Sequence, residues 1–212
     1  MFATRNFVFI SVPKTASTTI NFYLRDPNIA IQAPLEVSSL HSPPEQYHKS
    51  INELYKDYEQ ELEKCFKFAF VRNPWDRFVS AYYDFKTLRG TSKRLPSFDV
   101  FCKNSIESKW VENLHFRPQH TFLESKRFGD PHRTMDYIGR YENLQEDLST
   151  IFNRCNGILG INIETWLSLA PKYRETRSNR EHYTEYYDDQ TRELVRKIYE
   201  KDIELFEYEY SK

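Results

Sequence analysis

Two short stretches of this sequence set cations among hydroxyls in a way that suits an anion. The first is Pro13-Lys14-Thr15-Ala16-Ser17-Thr18-Thr19, a lone lysine among small hydroxyl residues. The second is "VRNPWDRFVSAYY", residues 71 to 83, with Arg72 eight positions ahead of Ser80. A strand that runs through a tight loop into a helix aims first-turn amides and the positive end of the helix dipole at one point. Lys14 adds a full charge there, and the hydroxyls of Thr15, Ser17, Thr18 and Thr19 add donors without filling the space. The plainer alternative is a helix N-cap beside a solvated lysine, with Arg72 a surface ion-pairing residue and Ser80 a small residue at a helix contact. The first loop contains no glycine, so it does not fit the G-x-x-x-x-G-K-[ST] phosphate loop.

The elements that must hold these residues are legible on either side of them. The run from Phe7 to Val12 reads as a buried strand, and a helix from Ser17 puts Ile20, Tyr23 and Leu24 on one face. "FKFAFV" (66 to 71) reads as a second strand, followed by a helix with Pro74 at its first position, and "DYIGRY" (136 to 141) as a third. Strand followed by helix, repeated, implies an α/β fold with a central, mainly parallel sheet flanked by helices. Residues 34 to 44 read as loop, 45 to 64 as charged helix, and 86 to 97 as a basic loop containing glycine and proline. A last helix is expected from Asp188 to about Phe206, with Leu194, Ile198, Tyr199, Ile203 and Phe206 near helical spacing.

Composition limits the partners. The 212 residues carry 30 Lys plus Arg against 31 Asp plus Glu, a net charge of −1. No global field draws nucleic acid or an anionic membrane, so an anion site must be local. Cys65, Cys102 and Cys155 are odd in number and far apart, which fits reduced thiols better than a disulfide framework or a zinc site. With neither a secretory signal nor a spanning segment read, the chain is expected to be soluble and cytoplasmic; a luminal domain cut from a longer protein would read the same.

"PKTAST" after the first strand, joined to "VRNPWDRFVSAYY" after a later one, resembles the paired 5′-phosphosulfate and 3′-phosphate motifs of sulfotransferases that use 3′-phosphoadenosine 5′-phosphosulfate (PAPS). The resemblance is nearest to the carbohydrate-type branch, including the uronyl 2-O-sulfotransferases. It continues through "HFRPQHTFL" (115 to 123), "DYIGRYENLQEDL" (136 to 148) and "RSNREHYTEYYDDQTRELVRKIYEKDIELFEYEY" (177 to 210). It implies one sulfotransferase domain over residues 1–212, of three layers and P-loop NTPase-like. PAPS would be the donor, 3′-phosphoadenosine 5′-phosphate (PAP) the product, and a hydroxylated small molecule or glycan the acceptor, with no metal, nucleic acid or membrane involved.

Residue by residue, the resemblance gives Lys14 the bridging and sulfonate oxygens, and Pro13, Thr15, Ala16, Ser17, Thr18 and Thr19 the 5′-phosphate. Arg72 and Ser80 take the 3′-phosphate. Arg177, Ser178 and Arg180 belong to a basic loop over the donor, whose plainer reading is a solvated basic run. His115, Arg117 and Gln119 shape the acceptor or donor pocket. The general base is read as His41, which falls where related sulfotransferases carry their catalytic histidine, with His115 or a carboxylate such as Glu36 as alternatives. His48, His120, His132 and His182 are read as ordinary surface or core histidines. A phosphate-loop kinase is the rival enzyme, disfavoured by the missing glycines and by the lack of a clear magnesium-binding aspartate; a non-catalytic nucleotide or sulfated-glycan binder is the rival of another class.

Overall fold

The computed structural model describes residues 2–3, 7–25, 48–87, 95–105, 112–154 and 180–211. In chain order its elements are β1 (Phe2–Ala3), β2 (Phe7–Ile10), α1 (Ser17–Arg25), α2 (Ile51–Asp57), α3 (Glu59–Lys64), β3 (Phe66–Val71), α4 (Pro74–Thr87), α5 (Phe98–Ser105), α6 (His120–Leu123), α7 (Pro131–Thr134), β4 (Tyr137–Arg140), α8 (Leu144–Arg154), α9 (Asp189–Ile198) and α10 (Glu200–Leu205). They group into two compact units, residues 1–71 with 121–176, and residues 72–120 with 177–212.

The first unit is built on a sheet of order β1-β2-β3-β4, in which β2, β3 and β4 run parallel and β1 is antiparallel to β2. This is the expected α/β, mainly parallel arrangement. Because side chains alternate across a strand, Phe7 and Phe9 share a face with Phe68 and Phe70, and Phe9 stacks on Phe68 at 5.1 Å. Ile20 and Leu24 of α1 and Leu148, Ile151 and Phe152 of α8 close over that face. Val8, Ile10, Ala69 and Val71, on the alternate positions, are buried too, as strands of a parallel sheet tend to be. At Gly139 of β4 a Cβ would stand 2.5 Å from the Phe70 ring, so only glycine lets the two strands close at that point. The register pairs Ile10 with Ala69, which brings the C-terminal ends of β2 and β3 side by side.

The second unit is helical, with an aromatic centre. The Phe78 ring lies 5.2–6.2 Å from those of Phe98, Phe101, Phe116 and Tyr199. Arg77 is 1% exposed; its guanidinium covers the Tyr199 ring and donates to the carbonyls of His115 and Arg117, 3.1 and 2.8 Å away.

Several boundaries differ from expectation for local reasons. The first strand stops at Ile10 because the Val12 amide turns back to the Ile10 carbonyl (3.1 Å), ahead of Pro13. The third strand loses both ends, since Asp136 caps the Lys67 amide through its carboxylate and Tyr141 opens a 3-10 turn. The helix expected over 45 to 64 is divided at Tyr58, and the last helix is divided at Tyr199 (φ −112°, ψ 23°). Strand β1 had no counterpart in the sequence reading. Residues 34 to 44, and most of the basic loop over 86 to 97, lie outside the described residues. No helix among the described residues is long and apolar enough to cross a membrane.

Candidate functional site

In the first unit the chain leaves β2 into a turn at Pro13–Ala16 and enters α1 at Ser17. Lys14 (φ 68°) and Ala16 (φ 62°) are both left-handed, while Thr15 between them is not. For residues with a Cβ that conformation costs about 1–2 kcal/mol each. The loop thus reaches with lysine and alanine the alternating backbone that glycines usually supply, and alternation of this kind turns successive amides toward a common concavity that suits an anion. Thr15 fixes the turn by donating its hydroxyl to the Val12 carbonyl at 2.9 Å, and the Ile20 amide starts the helix on the Ala16 carbonyl at 3.0 Å. Thr18 is exposed and Thr19 half-buried at the helix mouth.

Asn21, fully buried, donates from Nδ2 to Ser11 Oγ and to the Ser17 carbonyl, both at 2.7 Å, and so ties the end of β2 to the first turn of α1. His48 joins the same place. Its Nδ1 lies 2.6 Å from the Ser11 carbonyl, which can only accept, so Nδ1 carries a proton and donates it there. Ser50, two residues on, caps α2 in a capping box with Glu53. The sequence reads His48 as an ordinary surface or core histidine; it is buried, and no pattern within its own segment marks its contact, because the partner is 37 residues away. His41 and Glu36 lie outside the described residues.

In the second unit Arg72 follows Val71 directly and is 5% exposed. Its backbone is clamped by Gln119, whose Oε1 accepts the Arg72 amide and whose Nε2 donates to the Arg72 carbonyl, each at 2.9 Å. Gln119 is held in turn by buried Asp202, which accepts the Gln119 and His120 amides at 2.7 and 2.9 Å and meets His120 Nδ1 at 2.6 Å. The Arg72 side chain bonds Asp76, as does Arg180. Burial alone would raise the Asp76 carboxyl, but the charges of Arg72 and Arg180 outweigh it and hold the group below the usual carboxylate range. Ser80 sits half-buried two turns along α4.

The remaining candidates divide. His115 and Arg117 are present with their carbonyls bound by Arg77, and His115 Nδ1 lies 4.0 Å from Asp84. Arg177 and Ser178 lie outside the described residues. Among the described residues no group of three or more His, Cys, Asp or Glu is arranged to hold a metal ion. Two locally organised cationic segments therefore stand in the chain, one made by backbone shape and a lysine, the other by two arginines bonded to one carboxylate, Asp76.

The chain is similar to an uncharacterized protein of Archaeoglobus fulgidus, with 31% identity over 91 residues, a match that spans 41% of this chain and 64% of that relative's length. No solved structure matches. Residues 1–209, nearly the whole chain, match the sulfotransferase family, and the chain belongs to that family.

Proposed function

We propose that the protein moves a sulfuryl group from PAPS to a hydroxyl of an acceptor, a carbohydrate by the resemblance of its loop, by in-line transfer. The observation that carries this reading is the loop at the end of β2, where left-handed Lys14 and Ala16 shape an anion cradle without glycine in a chain of this family. In the reaction the acceptor oxygen forms a bond to sulfur as the bond from sulfur to the bridging oxygen breaks. The electron pair leaves on the 5′-phosphate of PAP, and the acceptor proton passes to a base. Lys14, a compact ammonium charge, meets the negative charge that grows on the bridging oxygen. The 13–19 loop holds the 5′-phosphate, and Ser17, Thr18 and Thr19 contribute their hydroxyls.

Arg72 and Ser80 hold the 3′-phosphate, the group that separates this donor from ATP, while Arg177, Ser178 and Arg180 close on the donor. Gln119 serves by fixing the Arg72 backbone, and His115 and Arg117 belong to the acceptor side. The base is a histidine of the segment between α1 and β3: His41 by position in the sequence, His48 by its Nδ1–H contact to the Ser11 carbonyl at the end of β2.

The test has two arms. Calorimetry should give PAP a clear preference over ATP with magnesium, and labelled PAPS should transfer its label to a member of a panel of hydroxylated acceptors. Preference for ATP would favour a kinase; PAP binding without turnover on any acceptor would favour a binding protein.

A further inference from the structure

The two arginines assigned to the donor do not stand alone. Asp76, one helical turn beyond Arg72, offers Oδ2 to Nε and Nη2 of Arg72, each at 2.7 Å, and Oδ1 to Nη2 of Arg180 at 2.5 Å. Arg72, Asp76 and Arg180 expose only 6, 16 and 13% of their side chains. Two guanidiniums left together without a counter-ion would repel and turn apart; a carboxylate with one oxygen for each sets both their spacing and their direction. The cluster keeps one net positive charge. Its donor capacity is also incomplete, because Arg180 Nη1 is buried and meets no acceptor among the described residues. A buried charged donor without an acceptor is costly, and an anion arriving with a ligand would relieve it.

We propose that Asp76 is a positioning residue, which aligns Arg72 and Arg180 as a pair so that the protein prefers a nucleotide bearing a 3′-phosphate to one that lacks it. The proposal rests on the reading of Arg72 as the 3′-phosphate contact and extends that contact to Arg180. Asp76 touches neither donor nor acceptor; it acts through the two guanidiniums.

Calorimetry with PAP and with adenosine 5′-phosphate, on wild type and Asp76→Asn, tests it. Asparagine keeps the size, yet it replaces one carboxylate oxygen by an NH2 that faces a guanidinium donor and so releases one arginine. The preference for PAP should fall by about tenfold or more, while affinity for adenosine 5′-phosphate changes less than about threefold. In an Arg180→Met background the same substitution should have a smaller effect on that preference, because half of what Asp76 aligns is already gone. Asp76→Glu, which restores the charge, should recover most of the preference.

A wild-type protein that binds the two nucleotides equally would overturn the functional reading and this proposal together. Wild-type preference kept in Asp76→Asn, or lost equally for both nucleotides, would overturn this proposal alone. If Asp76→Asn does not fold, Asp76→Asn/Arg180→Met, which removes one buried charge of each sign, is compared with Arg180→Met. A further loss of preference supports the proposal, and equal preference overturns it.

Discussion

The two cationic segments solve the same problem by opposite means. In the first unit the loop after β2 has its shape from backbone, two left-handed residues held by Thr15 and Asn21, and its cation is a lysine, a compact charge on a long aliphatic stem. In the second unit Arg72 is fixed at both ends, its peptide clamped by Gln119 and its guanidinium by Asp76. The difference matches what each would meet under the proposed reaction. Charge moves during transfer at the sulfuryl end, and a lysine can follow it; the 3′-phosphate is only recognised, and a planar arginine set in advance loses less entropy in binding it.

The largest effect should come from loss of the base, which belongs to the reacting end. Removal of the right histidine is expected to lower kcat by about 10²–10⁴-fold and to leave PAP affinity nearly intact. Assayed side by side, His48→Ala and His41→Ala identify it: the variant that loses rate, together with the acid limb of the pH–rate profile, carries the proton. Wild-type turnover in both would move the base to His115 or a carboxylate. Lys14→Ala comes next, with kcat down by about 10²–10³-fold and PAP affinity reduced far less. If instead Lys14→Ala lost affinity and rate alike, the contrast between a moving and a fixed charge would collapse, for Lys14 would then be a second recognition residue.

How far the sequence anticipates this arrangement depends on the range of the interactions. Phe7–Ile10 and Phe66–Val71 are legible because continuous apolar runs suit strands buried on both faces, and the starts at Ser17 and Pro74 because helix N-termini have their own chemistry. The break at Tyr199 is hidden, since Ile198, Tyr199 and Ile203 keep a helical period straight through it. Lys14, Arg72, Ser80, Gln119 and Arg180 stand out through local motifs, whereas the pairings that hold the site together do not. His48 meets Ser11 across 37 positions, Gln119 meets Asp202 across 83, and Arg180 meets Asp76 across 104. Pairings at such separations follow from the completed fold, and one sequence holds no short-range trace of them.

Arg72→Ala probes the fixed end directly. Loss of a buried, hydrogen-bonded guanidinium should weaken PAP binding by about 2–4 kcal/mol and leave adenosine 5′-phosphate binding little changed. Measured beside Lys14→Ala, it completes a crossed pair: one variant loses rate and keeps affinity, the other loses affinity for one nucleotide. Equal weakening toward both nucleotides would make Arg72 a structural residue and leave Ser80 as the sole 3′-phosphate contact assigned on α4.

The smallest effect on binding is expected at Gly139, which touches neither segment yet sits beside the strand that leads to Arg72. A methyl group there would fall 2.5 Å from the Phe70 ring, which is itself fully buried against Phe9 and cannot turn away without moving its neighbours. Gly139→Ala should therefore cost about 1–3 kcal/mol of stability through overpacking, read as a lower midpoint in urea. Its influence on ligands should be lopsided. Phe70 and Arg72 are two residues apart on one chain, while β2 is separated from Gly139 by the width of β3. Any shift should appear as a change of up to about threefold in the preference for PAP over adenosine 5′-phosphate, with the kcat of bound donor unchanged. A Gly139→Ala protein with wild-type stability would mean that β3 and β4 yield at this point, and a fall in kcat without a change in preference would mean that strain in β3 reaches the lysine loop first.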